Sequence, residues 1–159
     1  MPRIAGLNVV GIIAATLVFY FVGFIFYGVL FTREWSIEVL ASVGAEDMRT
    51  LSQMTTERLT ATWNETFPNS NPGTSMGVGF INALGTVVVL AFILRQLTSA
   101  APSLGAYLMY ALLICTGFVL TTLAYDHIYA MAPMKLLMID TLHLYTAYAA
   151  AAITLSFLD

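Results

Sequence analysis

Four long stretches of almost unbroken apolar sequence dominate this chain, and they leave it few ways to fold. They cover 7–31, 76–94, 104–123 and 136–158. Each has the length of a membrane-spanning helix, which takes roughly 20 apolar residues. Strands of a membrane barrel would be about 10 residues long and would alternate in polarity, whereas these stretches are apolar all round. In lipid the backbone amides must find partners within their own segment, so the helix is the element that fits. Of the 159 residues, 59% are hydrophobic and only 9% are charged. A water-soluble domain of this size has no interior large enough for that much apolar surface. The expected fold class is all-α: one polytopic membrane domain over 1–159 with four transmembrane helices. Short connections favour antiparallel neighbours, so the helices are expected to form an up-down-up-down bundle. The first stretch is expected to be retained as a span. Its apolar run is too long for a cleavable leader, and no small-residue cleavage site follows it.

The sizeable polar region is the first loop, 32–75. Trp35, Ile37, Val39, Leu40 and Val43 give it a partial amphipathic face. After Gly44, the Glu46–Asp47 pair is placed to open a second helix, with Met48, Leu51, Met54 and Leu59 along one side. Two short amphipathic helices are therefore expected here, lying at the membrane surface or capping the bundle. The run PNSNPGTS over 68–75 is expected to be a turn-rich hinge. Small residues four apart mark faces for close helix approach: Gly11 with Ala15, Gly77 with Gly85 through Ile81, Gly79 with Ala83, and Ala147 with Ala151. Such faces serve equally for packing inside one bundle and between copies.

The polar residues of the spans are unevenly placed. In an antiparallel bundle, Tyr27, Arg33, Glu34, Trp35, Asn82, Asp126, His127, Lys135, Asp140 and His143 all fall toward one membrane face. Asp140 and His143 stand three apart on the fourth helix and so share a side of it. An ionised carboxylate inside the span is costly unless paired or wetted. Asp140 has three partners within reach by sequence: a ring N–H of His143, Arg33 or Lys135. Two readings stay open. One is a proton-handling or ligand-binding dyad opening toward the polar loop; the other is an internal pair that fixes helix register. Asp126 and His127 end the third span, where a solvated terminus is the plainer account.

Composition excludes some partners and functions. No basic stripe points to nucleic acid. The spacing of the His, Asp, Met and Cys residues matches no metal motif, so neither a metal nor another cofactor is expected. Cys115 lies in mid-span and has no second cysteine to pair with. The implied surroundings are a lipid bilayer, with either a homo-oligomer or a larger membrane complex as the assembly. Arg33, Arg49, Arg58 and Lys135 outnumber Arg3 and Arg95 across the membrane, which leans toward a cytoplasmic first loop.

The end of the first span reads GFIFYGVLFTREW, and the start of the fourth reads PMKLLMIDTLHL. Gly23, Phe26, Tyr27, Leu30, Phe31, Arg33 and Trp35 in the first, and Pro133, Lys135, Leu136, Ile139 and Asp140 in the second, resemble the signatures of a bacterial membrane family known as domain of unknown function 1761. Phe26 stands where that family usually has Trp. The resemblance implies a protein of the bacterial inner membrane and supplies no activity. Tyr27, Phe31 and Trp35 are spaced to share one helix face. That face forms either an aromatic belt at the water boundary or a wall against the Asp140 region. The leading expectation is a small, non-enzymatic accessory or assembly component. An oligomeric transporter or channel using Asp140 and His143 is the second. A membrane enzyme is the third, and it requires a pocket joining those residues to the polar loop.

Overall fold

A computed structural model describes residues 2–4 and 6–158. Two short strands, β1 (Arg3–Ile4) and β2 (Leu7–Asn8), pair antiparallel at the start of the chain. Gly6 adopts the positive φ of 81° that the turn between them needs, and a Cβ there would collide with the Arg95 guanidinium. The first long helix, α1 (Val9–Ile25), therefore begins two residues later than expected, because Leu7 and Asn8 belong to the strand. It continues through a π-helical turn (Phe26–Leu30).

Next come three short helices, α2 (Thr32–Ser42), α3 (Met48–Gln53) and α4 (Thr56–Thr66). Then follow α5 (Pro72–Thr98), α6 (Leu104–Ile114), a second π-helical turn (Cys115–Leu120), α7 (Thr121–Tyr129) and α8 (Met134–Leu158). Four runs are long and apolar enough to cross a membrane: Val9–Leu30, Pro72–Thr98, Leu104–Tyr129 and Met134–Leu158. The protein is thus a predominantly helical membrane protein. The hinge at 68–75 is shorter than expected. Asn71 caps α5 by accepting from the N–H groups of Gly73 and Thr74, and Pro72 starts the helix where its missing N–H does no harm.

α1 lies against α8, and contacts at both ends fix their directions. Asn8 caps α1 and also donates from Nδ2 to the carbonyl of Leu158, at the end of α8. At the other end of α1, Tyr27 bonds to Asp140 near the start of α8. The two helices therefore run in opposite directions. Small residues permit the approach: Ala15, Ala147 and Ala151 are fully buried, and Gly11 lies against Leu158. In α5, Ala83 is buried and Gly79 faces Tyr20, but Gly77 and Gly85 face open space. Val87, Leu90 and Leu94 of α5 complete this core with Tyr107, Ala111 and Cys115.

The polar loop builds a second, separate core. Ile37 and Leu40 of α2, Leu51 of α3 and Leu59 of α4 are buried together, with Met54, Trp63 and Phe67 packed around them. The second amphipathic helix expected after Gly44 is two helices. Met54 is extended (φ −65°, ψ 146°), and α3 and α4 each have their own cap. Asp47 caps α3 and accepts from the Thr50 N–H at 3.0 Å and its hydroxyl at 2.6 Å. Thr55 caps α4. The break lets both helices turn their apolar side onto α2, which one straight helix could not do.

Leu40 and Leu51 are the anchors of this cap, both 0% exposed. Leu40→Ala is expected to destabilise the cap by about 2–5 kcal/mol. Hydrogen exchange should show faster exchange over α2 to α4 and little change in α8. Acid should act in the same place. The Thr50 hydroxyl and N–H hold the Asp47 carboxyl below its ordinary value, so its capping contribution is present above the ordinary carboxylate range. That contribution is lost as pH falls through the lower folded value. Protection factors over α3, each taken against the intrinsic rate at that pH, should fall on acidification in the wild type, and the fall should be smaller in Asp47→Asn.

Candidate functional site

The polar cluster is built from the π-helical turn of the first span and the second and third turns of α8. In the π turn, the Phe31 N–H reaches back five residues to the Phe26 carbonyl at 2.8 Å. The extra residue shifts the facing of everything that follows. Tyr27, Phe31 and Trp35 consequently do not form the single aromatic face that an unbroken α-helix would give. Tyr27 and Trp35 still meet, with ring centroids 5.6 Å apart. Phe31 turns away, packs on Phe26 and lines a different groove. Each π turn contains a glycine, Gly28 and Gly117, but a lone glycine in an apolar run does not announce a π turn in sequence.

Tyr27 is the hub of the cluster. Its hydroxyl donates to Asp140 Oδ1 at 2.6 Å and lies 3.1 Å from His143 Nδ1. Asp140 and His143 share a face of α8, as their spacing predicts, but a tyrosine from another helix links them. Two proton arrangements satisfy these distances. With Asp140 ionised, Tyr27 donates to it and accepts from His143 Nδ1–H, leaving Nε2 as an acceptor. With Asp140 protonated, it donates to Tyr27, which donates to Nδ1 and leaves the proton on Nε2. The second arrangement holds one proton more than the first, so shifting protons along the chain exchanges them only as Nε2 takes up or gives up a proton.

The two cations expected near Asp140 are engaged elsewhere. Arg33 donates to the carbonyls of Ser52 and Met54, at 3.2 and 2.8 Å, and so ties α2 to the end of α3. Lys135 lies 4.0 Å from Glu38, a carboxylate with only 6% of its side chain exposed. Glu38 carried no signal in the sequence, since a Glu on a short amphipathic helix ordinarily faces water. His127 is also engaged. Its Nδ1 lies 3.0 Å from the Ala132 carbonyl and holds the turn into α8.

Beside the cluster lies a cavity of about 650 Å³. Tyr27, His143, Asn82 and Ser75 supply polar groups, and Phe19, Tyr20, Phe24 and Trp35 form aromatic walls. Asp140 is not part of the lining; Tyr27 and His143 stand between them. Gly23 and Gly79 make the space. A Cβ on Gly23 would come 3.2 Å from His143 Nε2, so the glycine lets the ring edge approach α1. The edge-on contact of Tyr27 and His143, with centroids 4.9 Å apart, fixes both rings. Trp35 in turn packs on Trp63 of α4, at 5.3 Å. The cap thereby supports one wall of the cavity, a link absent from the sequence because 28 residues separate the two tryptophans.

Tyr27→Phe strands Asp140 and His143 together and is expected to cost about 1–3 kcal/mol. The readout is thermal unfolding in detergent, with Tyr20→Phe as the control at a more exposed hydroxyl. Equal melting of the wild type and Tyr27→Phe would mean that this hydroxyl is not the partner both groups depend on.

The family model described as "Protein of unknown function (DUF1761)" matches residues 10–156. No curated protein and no solved structure matches the chain. The matched region contains the three residues of the cluster and the cavity beside it. With nearly its whole length matched, the chain belongs to the DUF1761 family.

Proposed function

We propose that this protein is a membrane-embedded accessory component that holds a small lipid-soluble ligand against His143. The ligand has a flat ring and one hydrogen-bonding edge, in the manner of a quinone or a phenol. The observation that carries this reading is the composition of the cavity: aromatic walls with a few convergent polar groups, in a volume of about 650 Å³. Sites for small ligands are mostly apolar, with few polar groups to fix orientation, and span roughly 300–1,000 Å³. Flat rings stack on Trp35 and the phenylalanines, while His143 and Asn82 supply the edge contacts. Asp140, set behind Tyr27, holds the tautomer of His143 rather than touching the ligand.

The two tryptophans of the chain provide the test, because Trp35 lines the cavity and Trp63 packs against it. Menadione, a membrane-soluble naphthoquinone, is titrated into the protein in lipid nanodiscs while tryptophan fluorescence is followed. Saturable quenching is expected. It should be lost in Gly79→Leu, which fills the cavity, and weakened about tenfold in His143→Phe. Linear quenching that is the same in all three proteins would refute the binding site.

A second reading rests on the Asp140–Tyr27–His143 chain itself. Its two proton arrangements suit a step in a proton path through an oligomer. Proton flux into liposomes that falls to the protein-free rate in Tyr27→Phe would favour it over simple binding. The cavity also reaches Pro72 and Ser75 at the edge of the polar region, which is what a membrane enzyme requires. Binding is the first step in any of these roles.

A further inference from the structure

A second groove, on the other side of the α1–α8 contact, has walls of a different kind. It measures about 830 Å³ and is lined by Leu30, Phe31, Met138 and Leu142, with Glu34 and Lys135 at one end. Tyr145 closes the other end, its hydroxyl 2.7 Å from that of Thr116. From Lys135 to Tyr145 the trough follows α8 for ten residues, about 15 Å at 1.5 Å per residue. Half of a hydrocarbon core of roughly 30 Å is the same depth. The trough thus has a charged mouth and an apolar body as long as one leaflet is deep.

The charges at the mouth discriminate between headgroups. Lys135 carries three ammonium protons on a side chain that is 58% exposed, and among the described residues its ion-pair partner, Glu38, lies at the outer limit of such a pair. Among the described residues, Glu34 makes no ion pair and no side-chain hydrogen bond, although it lines the same groove. Arg33 makes no ion pair with it and instead donates from Nη2 to the carbonyls of Ser52 and Met54. The groove itself is lined by one carboxylate and one ammonium, Glu34 and Lys135, and is neutral overall. A purely anionic headgroup would engage Lys135 and face the Glu34 carboxylate with nothing to donate to it. A headgroup carrying both a phosphate and a hydrogen-bonding ammonium satisfies both sides: the phosphate at Lys135 and the ammonium at Glu34. A quaternary ammonium has no N–H to donate and loses the second contact.

We infer that this groove is a binding site for one molecule of a phospholipid with a primary-amine headgroup, phosphatidylethanolamine. The acyl chain lies along Met138 and Leu142, and the headgroup sits between Glu34 and Lys135. This site shares no residue with the His143 cavity and stands whether or not that cavity binds a ligand.

The test is native mass spectrometry of the full-length protein in detergent, incubated with equal amounts of phosphatidylethanolamine, phosphatidylcholine and phosphatidylglycerol. One tightly held phosphatidylethanolamine is expected, retained roughly tenfold over either competitor, the factor that one charge-assisted hydrogen bond supplies. Glu34→Gln should abolish the preference over phosphatidylcholine. Leu142→Trp, at a position 53% exposed and tolerant of bulk, should fill the trough and release all three lipids. Equal retention of ethanolamine and choline lipids by the wild type would overturn the inference. So would an ethanolamine preference that survives Glu34→Gln, or retention that is unchanged in Leu142→Trp.

Discussion

Backbone polar groups within the four long helices have to be paired inside the protein, and their polar side chains gain from such pairing, because the surrounding hydrocarbon offers no hydrogen bonds. The rest of the structure depends on that constraint. It explains the regular behaviour of the threonines. Thr16, Thr98, Thr116, Thr146 and Thr154 each return their hydroxyl to the carbonyl four residues earlier. Such a hydroxyl is satisfied on its own helix, and of these five only that of Thr116 also meets another helix among the described residues, at Tyr145. Asn8 is different, since its amide reaches both the first turn of α1 and the Leu158 carbonyl of α8. A residue that cannot satisfy itself locally becomes a link between helices.

The Tyr27–Asp140–His143 group is the extreme case. A carboxylic acid and an imidazole, one turn apart on α8, need more partners than their own backbone supplies. The first span meets that need through a departure from α-helical geometry. The π turn brings Tyr27 between the two and still lets the chain leave into α2. The same departure sends Phe31 to the opposite side, where it becomes a wall of the second groove. One irregular turn therefore separates the surroundings of the α1–α8 contact into an aromatic cavity on one side and a charged-mouth trough on the other.

The cap of α2 to α4 fits the same logic. Outside hydrocarbon, burial of Leu40, Leu51 and Leu59 is favourable by the ordinary hydrophobic effect, so a small soluble-type core forms there. It positions Trp63 against Trp35, and it buries Glu38 beneath Lys135 at the start of α8. The cap thus touches both sites, the aromatic cavity through Trp35 and the trough through the Lys135 side chain.

Class and approximate helix placement were legible from the sequence because lipid imposes length and polarity on each segment independently. The i, i+3 spacing of Asp140 and His143 likewise dictated a shared face, a property local to one helix. The tertiary structure decided what could not be local: Tyr27 rather than Arg33 or Lys135 as the partner of Asp140, Glu38 as the partner of Lys135, and Phe31 parting from Tyr27 and Trp35. Each depends on which helices lie side by side and on a π turn whose single extra residue rotates everything after it. Periodicity counts residues along one helix, and it cannot register an added residue in a turn or a neighbour about 100 positions away.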